Sequence, residues 1–539
     1  MNHNRLLRIG VLTALYIYFA YSFAFAQRAS VLEQMRGVWV STAFNLDWPT
    51  KQGMSAFEQQ AEFIDYLDKF ESIGINTVIL QVRPAGDAIF KSSYEPWSKF
   101  ISGKTGEAPT PYYDPLSFAI EECKARGMEL HAWFNPFRAA IWNKWTKAEE
   151  TESRKQVFTQ HPDWFVEYGE KLYFDPGNPE LRHYLVRIIM DVVRRYPVDG
   201  IHFDDYFYPF PDRNLPPFND AQTFQKYGNG FEDKYAWRRE NINSFIKEVH
   251  DSLQLLKPEL KFGIGPPAVW RNQGYDSRGS KTLGLSAYDD LHADTRLWME
   301  QGWIDYIAPQ MYSAIGSKVS DYRVLASWWN DNAYGRHVYT GHALFRIDPK
   351  SESGVWRDLS QIPRQIRLNE QYPEIKGSVL YSAIYLKKNI GGIYDSLRNM
   401  WQNNPAIAPG MPWKYLVVVV DNTDSTNTQP DDINEQKYVY ILDSPKNPET
   451  VEMGSQIYIF WEMPINHRVE FQPDLDYRVY LFRKNEPQIP DKEHLIQVTD
   501  KKEALIKKRW LFRRTGYILV TAVYNNIESA PASPVKIRY

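Results

Sequence analysis

Cysteine is almost missing from this chain. Its single copy, Cys123, falls inside a predicted helix, which excludes internal disulfides and cysteine-rich metal sites. No cysteine lies near Ala26, so a lipoprotein anchor is excluded as well. Positive charge is not in excess: the net charge is -3, and no basic field marks the chain for nucleic acid. No glycine-rich phosphate loop follows the first predicted strand, which argues against an open doubly wound nucleotide-binding sheet. At the N-terminus, Arg5 and Arg8 precede an apolar run over residues 9–25. Ala24 and Ala26 then put small residues where a signal peptidase reads, so 1–26 is expected to be a signal peptide cut before Gln27. The run is long for that purpose, and an uncleaved anchor is the alternative.

Aromatics are what the chain has in abundance, with 18 Trp and 35 Tyr. Their faces suit both the apolar faces of sugar rings and a large core. The 539 residues are enough for a large barrel and a further module. Apolar runs and helical patterns alternate eight times. Strands are predicted over 36–42, 75–83, 128–138, 198–203, 261–266, 304–312, 337–347 and 377–386. Helices are predicted over 55–72, 115–126, 179–196, 235–256, 289–301, 321–332, 356–372 and 392–401. The fold class is therefore α/β, a (β/α)8 TIM-type barrel over residues 33–405 followed by a small all-β sandwich. A further strand is predicted at 415–420, and the polar stretch 421–436 reads as a linker. Residues 441–539 alternate as sandwich strands, and YILVTAVY at 517–524 resembles the penultimate strand of a fibronectin type III domain.

The chain is organised around VDGIHFDDYFYP, residues 198–209, where an apolar strand ends in adjacent carboxylates. Charged carboxylates are costly to desolvate, so a solvated loop is the plain alternative to a reactive site. Alternation puts His202, Asp204 and Tyr206 on one side and Phe203 and Asp205 on the other. Asp204 is then the inward carboxylate for acid–base chemistry, with its pKa raised by burial, and Asp205 orients a neighbour such as Arg138. A second carboxylate is sought at Asp87, Glu95 or Asp289. The remaining strand exits supply substrate-binding candidates: Arg83, Asp87, Asn135, Arg138, His202, Tyr206, Gln310, Tyr312 and His342. His202 with Asp204 makes only two ligand types for a metal, and no third is fixed by spacing, so neither metal nor other cofactor is expected.

Six ordered motifs, RGVWVST, QVRPAGDA, HAWFNPFRA, DPGNPELR, DGIHFDDYFYP and IAPQMY, closely resemble the bacterial glycosyl-hydrolase-like family ten over residues 35–402. The resemblance implies an exported (β/α)8 glycosidase, periplasmic or extracellular. It implies a polysaccharide substrate, an amino-sugar glycan: peptidoglycan strands that have lost their stem peptides. No nucleic acid and no membrane span after signal removal are expected. The fourth strand is also distantly similar to the DGxDxDWE signature of glycoside hydrolase family eighteen. There His202 stands at the second aspartate, Asp204 at the third and Tyr206 at the catalytic glutamate, so the chitinase mechanism does not carry over unchanged. A hydrolase of plant or host polysaccharide and a non-catalytic glycan-binding protein are the competing functions.

Overall fold

Eight parallel strands pair in chain order, and the last closes on the first. The computed structural model describes residues 32–140, 157–414, 446–453, 456–462, 476–483, 494–507, 515–524, 527–528 and 535–538. The targeting segment, the strand expected at 415–420 and the stretch 421–436 lie outside the described residues. The barrel strands are β1 Met35–Val40, β2 Thr77–Arg83, β3 Glu129–Phe134, β4 Gly200–Phe203, β5 Lys261–Ile264, β6 Tyr306–Ile307, β7 His337–Ala343 and β8 Ile375–Tyr381. Each lies inside or overlaps its expected range, but several stop early. β6 pairs over two residues only, and β4 ends at Phe203, so the segments beyond them leave the pleat.

Helices α1 Ala56–Ser72, α2 Pro115–Ala125, α3 Pro179–Arg195, α4 Lys234–Leu256, α5 Thr295–Glu300, α6 Tyr322–Asp331, α7 Gln361–Asn369 and α8 Ile393–Trp401 cover the outside. Their starts follow from capping. Ser55 and Glu58 form a reciprocal capping box on α1. Asp114 and Asn178 cap helices that begin with proline. The helix expected over 289–301 is broken, because His292 adopts a left-handed φ of 55° and Asp294 starts α5 afresh by accepting from Leu297 N–H. Among the described residues no helix is long and apolar enough to cross a membrane.

Inward side chains fill the barrel, with Trp39, Ile79, Trp133, Tyr306, Tyr339 and Val379 in one apolar cluster. Two glycines make room for large neighbours. A Cβ at Gly263 would stand 2.1 Å from the Tyr306 ring, and one at Gly200 would stand 2.8 Å from His131. A chain of hydrogen bonds threads the same interior. Trp39 Nε1 lies 3.1 Å from His202 Nε2, and His202 Nδ1 lies 3.0 Å from the Tyr306 hydroxyl. That hydroxyl is 2.8 Å from His131 Nδ1, and His131 Nε2 is 3.1 Å from Glu129, which Lys261 holds from its other oxygen. Asp47, buried where β8 meets β1, accepts from Ser41 N–H at 2.7 Å, the Ser382 hydroxyl at 2.7 Å and Ile384 N–H at 2.8 Å.

The barrel unit comprises Glu33–Gln402 and Ala406–Leu416. It therefore runs past residue 405, where the sequence pattern ends it. Met411 is buried against the barrel interior. Trp413 Nε1 donates to Asp305 Oδ1 at 2.9 Å, and Lys414 Nζ pairs with Asp305 Oδ2 at 2.8 Å, at the N-terminal end of β6. In a separate unit, Lys446–Met453, Gln456–Glu462 and Glu503–Lys507 form one antiparallel sheet. Asp476–Arg483, Leu495–Thr499, Thr515–Tyr524, Ile527–Glu528 and Val535–Arg538 form another. Ile457, Ile459, Trp461, Val479, Ile518 and Val520 share a buried core there. A chain cut after Gln402 is expected to unfold in urea with at least about 3 kcal/mol less stability than one cut after Leu416, from the lost burial of Met411 and the stranded Asp305 charge. Equal stability of the two would show that the 406–414 segment contributes nothing to the barrel.

Candidate active site

β4 carries His202 inward and Phe203 outward, where Phe203 packs against Phe134, Phe245 and Phe262. Beyond Phe203 the pleat ends in a tight turn. Tyr206 N–H donates to Asp204 Oδ1 at 3.2 Å, and Phe207 N–H donates to the Asp205 carbonyl at 3.0 Å. Strand alternation no longer applies there, and this corrects the expectation that the two carboxylates diverge. Both are 6% exposed, and the Arg138 charge acts on both. Asn135, just past β3, donates to Asp204 Oδ2. Gln310, just past β6, donates to the Gly265 carbonyl at 2.8 Å and stands close enough to favour the charged form of Asp205. The Trp133 indole N–H makes no well-formed hydrogen bond, yet it stands close enough to favour the charged form of Asp204.

The environment splits the pair. Burial pushes Asp204 up to about 6, held there against the Arg138 charge, the N–H donors from Tyr206 and Asn135, and the nearby Trp133 indole. Asp205 is pushed further, to about 8, by burial and by the Asp204 carboxylate beside it. Both carboxyls are thus held above the ordinary carboxylate range, Asp205 further than Asp204.

Positioning comes from the strand ends in sequence order. Gln81 Oε1 accepts from Ser41 Oγ, Thr42 N–H and Ala43 N–H at 2.9–3.0 Å, and its Nε2 donates to Asn135 Oδ1 at 2.8 Å. This fixes the Asn135 amide with its nitrogen toward Asp204. Arg83 grips Glu95 with two nitrogens at 2.6 and 2.7 Å and donates to the carbonyls of Asn135 at 2.6 Å and Pro136 at 3.0 Å. Both Arg83 and Glu95 are thus engaged with each other and with the loop after β3. Asp289 pairs with Arg271 at 2.9 Å.

Asp87 is buried in the loop after β2, next to Gly86, whose N–H reaches the Ala139 carbonyl at 3.0 Å. Arg138 opens a short strand, Arg138–Ala140, and lays its guanidinium 3.7 Å from the centre of the Tyr206 ring. Tyr312, Phe345, Tyr381 and Tyr385 line the exits of β6 to β8 as one aromatic wall, with ring centres 5.5–6.4 Å apart. Two histidines named from the sequence lie elsewhere. His202 is sealed in the barrel interior between Trp39 and Tyr306, and burial holds it well below the usual imidazole range. His342 faces the helical layer, bonded to Gln365 and Ser378 at 3.0 Å each and stacked on Tyr322. Residue type alone does not rank Gln81 and Trp133 above other strand-end polar groups. No three His, Cys, Asp or Glu side chains gather as metal ligands among the described residues.

A buried acid beside a buried carboxylate can protonate a leaving oxygen while keeping negative charge near the carbon that loses it. With a parallel barrel presenting that pair at its C-terminal face, the protein is a glycoside hydrolase. Residues 34–358 match the family described as Glycosyl hydrolase-like 10, and the chain belongs to that family. It is 40% identical over 445 residues to "Glycosyl hydrolase YngK" of Bacillus subtilis (strain 168), covering 80% of this chain and 84% of that one. It is 40% identical over 375 residues to "Glycosyl hydrolase DigH" of Escherichia coli (strain K12), covering 66% of this chain and 84% of that one. Among solved structures, the PgaB (BpsB) glycoside hydrolase domain from Bordetella bronchiseptica aligns with 68% of this chain and 98% of its own. Its TM-score is 0.41 at 13% identity, too loose for residue correspondences.

Asn135→Ala removes a donor that favours charged Asp204. The Asp204 pKa should rise, so the acidic limb of the pH–rate profile should move to higher pH, with kcat reduced about tenfold or more. A profile of unchanged limbs would detach Asn135 from Asp204.

Proposed function

We propose that the enzyme is exported and cleaves peptidoglycan glycan strands stripped of their stem peptides. The observation that carries this reading is the pair of consecutive buried carboxylates Asp204 and Asp205 at the end of β4, both held above the ordinary carboxylate range. Carboxylates on consecutive residues stand too close together to flank a sugar ring from opposite faces. The attack on the anomeric carbon therefore falls to the substrate's own 2-acetamido oxygen, as in the substrate-assisted glycosidases. Asp205 gives its proton to the leaving oxygen as the C1–O bond breaks and the acetamido oxygen bonds to C1. Asp204, held by Asn135, orients and stabilises the acetamido group as it becomes positively charged. Asp205, now a carboxylate, then takes a proton from the water that reopens the ring at C1, and configuration is retained.

An amino sugar supplies the acetamido group, and the aromatic wall of Tyr312, Phe345, Tyr381 and Tyr385 suits the apolar faces of successive rings. The motif resemblance supports the choice of peptidoglycan. The segment 1–26 supports export, and the alternation after residue 441 supports a fibronectin type III-like accessory module. N-terminal sequencing of the mature protein should begin at Gln27, and an intact Met1 would favour the anchor instead.

The decisive assay is cleavage of purified peptide-free strands. Asp205→Asn and Asp204→Asn should each lower kcat by about 10²–10⁴-fold, with melting temperatures near that of the wild type. Wild-type kcat/KM should rise as Asp204 ionises near pH 6 and fall as Asp205 loses its proton near pH 8. The stability sign follows from the same shift. Asp205 has a folded pKa above its unfolded value, so its contribution is full below about pH 4 and is lost as pH rises through about 8. Asp205→Asn should therefore melt higher than the wild type at pH 9. A wild-type protein that binds strands without cutting them would leave only the glycan-binding function. Cleavage confined to plant or host polysaccharide would replace the peptidoglycan reading.

A further inference from the structure

We propose that Arg138, flanked by Lys171, is the receptor for a carboxylate carried by the sugar itself: the free lactyl carboxylate of an N-acetylmuramic residue. The inference rests on the peptidoglycan reading above and adds to it the group by which stripped strands are recognised.

Two other buried arginines in this fold grip acids. Arg83 takes both oxygens of Glu95, and Arg238 takes both oxygens of Asp220 at 2.7 Å each. Arg138 is equally enclosed, at 7% exposure, and forms no ion pair among the described residues. Its Nη1 reaches one carbonyl, that of Pro84, at 3.3 Å, and its flat face rests on Tyr206. Asp204 and Asp205 are near enough to feel its charge but do not contact it. Stacking on Tyr206 fixes the plane of the guanidinium, and a fixed planar fork is the donor arrangement that suits a carboxylate.

A second cation stands alongside. Arg138 pairs across the antiparallel sheet with Tyr173, and Lys171 lies two residues from Tyr173 on the same face. Partial burial and the Arg138 charge both work against the Lys171 ammonium. Lys171 likewise has no carboxylate partner among the described residues. Two neighbouring cations, beside an acid pair held above the ordinary carboxylate range, leave an anion to be supplied by whatever enters the cleft. A neutral N-acetylglucosamine polymer has none. N-acetylmuramic acid carries one on its lactyl ether, but only after the stem peptide has gone, because an attached peptide turns that carboxylate into an uncharged amide. Arg138 thereby reads the absence of the peptide as the presence of a charge.

The test compares peptide-free strands with the same strands after carbodiimide amidation of their lactyl carboxyls, and with a uronate polymer. Binding of N-acetylmuramic acid and its methyl ester is measured by calorimetry in parallel. Wild type should prefer acid over amidated strands by at least about tenfold in kcat/KM, chiefly through KM, and should bind the acid more tightly than the ester. In Arg138→Gln that preference should fall to near one, whereas Arg138→Lys, which keeps the charge without the fork, should retain part of it. Lys171→Gln should reduce it several-fold. Equal wild-type activity on acid and amidated strands, or an unaltered preference in folded Arg138→Gln, overturns the receptor. If Arg138→Gln loses binding of the free acid but no strand is cut by the wild type, the receptor stands and the peptidoglycan hydrolase reading fails. Arg138-dependent cleavage of the uronate polymer alone keeps a carboxylate receptor and assigns it to a uronic acid, overturning its lactyl identity.

Discussion

The interior of the barrel is ordered by a donor that cannot accept. The Trp39 indole has an N–H and no lone pair to offer, so His202 Nε2 must be the acceptor and must be unprotonated. Every later link is then directed: His202 Nδ1–H to the Tyr306 oxygen, the Tyr306 O–H to His131 Nδ1, and His131 Nε2–H to Glu129. Lys261 closes the line at the opposite end. Burial enforces the same neutrality by holding both imidazoles below their ordinary range. Polar groups buried this deeply are tolerable only when all are satisfied, and a single protonation change would reverse a donor somewhere along the line. Trp39 thus sits on a chain of bonds reaching to the far end of the barrel.

The acid pair depends on a second relay that runs around the barrel. Backbone N–H groups after β1 orient Gln81, Gln81 orients Asn135, and Asn135 holds Asp204. Arg83 and Glu95 clamp the carbonyls on either side of that asparagine's loop. Four successive strand ends therefore cooperate to place one carboxylate.

Much of this was legible in the residues. Alternating apolar runs and capped helices gave the barrel and the order of its strands, because those signals are local and periodic. The motif DGIHFDDYFYP located the acid pair. What failed has physical causes. Parity was carried past Phe203, but the turn closed by Tyr206 and Phe207 N–H groups breaks alternation, which no pattern of residue types reveals. The pairing of Arg83 with Glu95 was hidden because Glu95 lies in an irregular loop. His202 and His342 are both buried and satisfied, and residue type alone does not tell an inward imidazole from one facing the helices. The segment from 406 to 414 has no periodicity, so its place beneath the barrel could only be seen in three dimensions.

Because Asp204 and Asp205 are consecutive, their backbone anchors stand about 3.8 Å apart by covalent geometry alone. In a site assembled from two strands, that spacing would vary with every shift in the sheet. Here, breathing of the barrel or a change in distant packing moves both anchors together. The spacing of the two anchors is inherited from bond lengths, whereas the loops after β6 to β8 are set by packing. Those segments are free to diverge over evolutionary time, or to be exchanged by design, without disturbing the chemistry they serve.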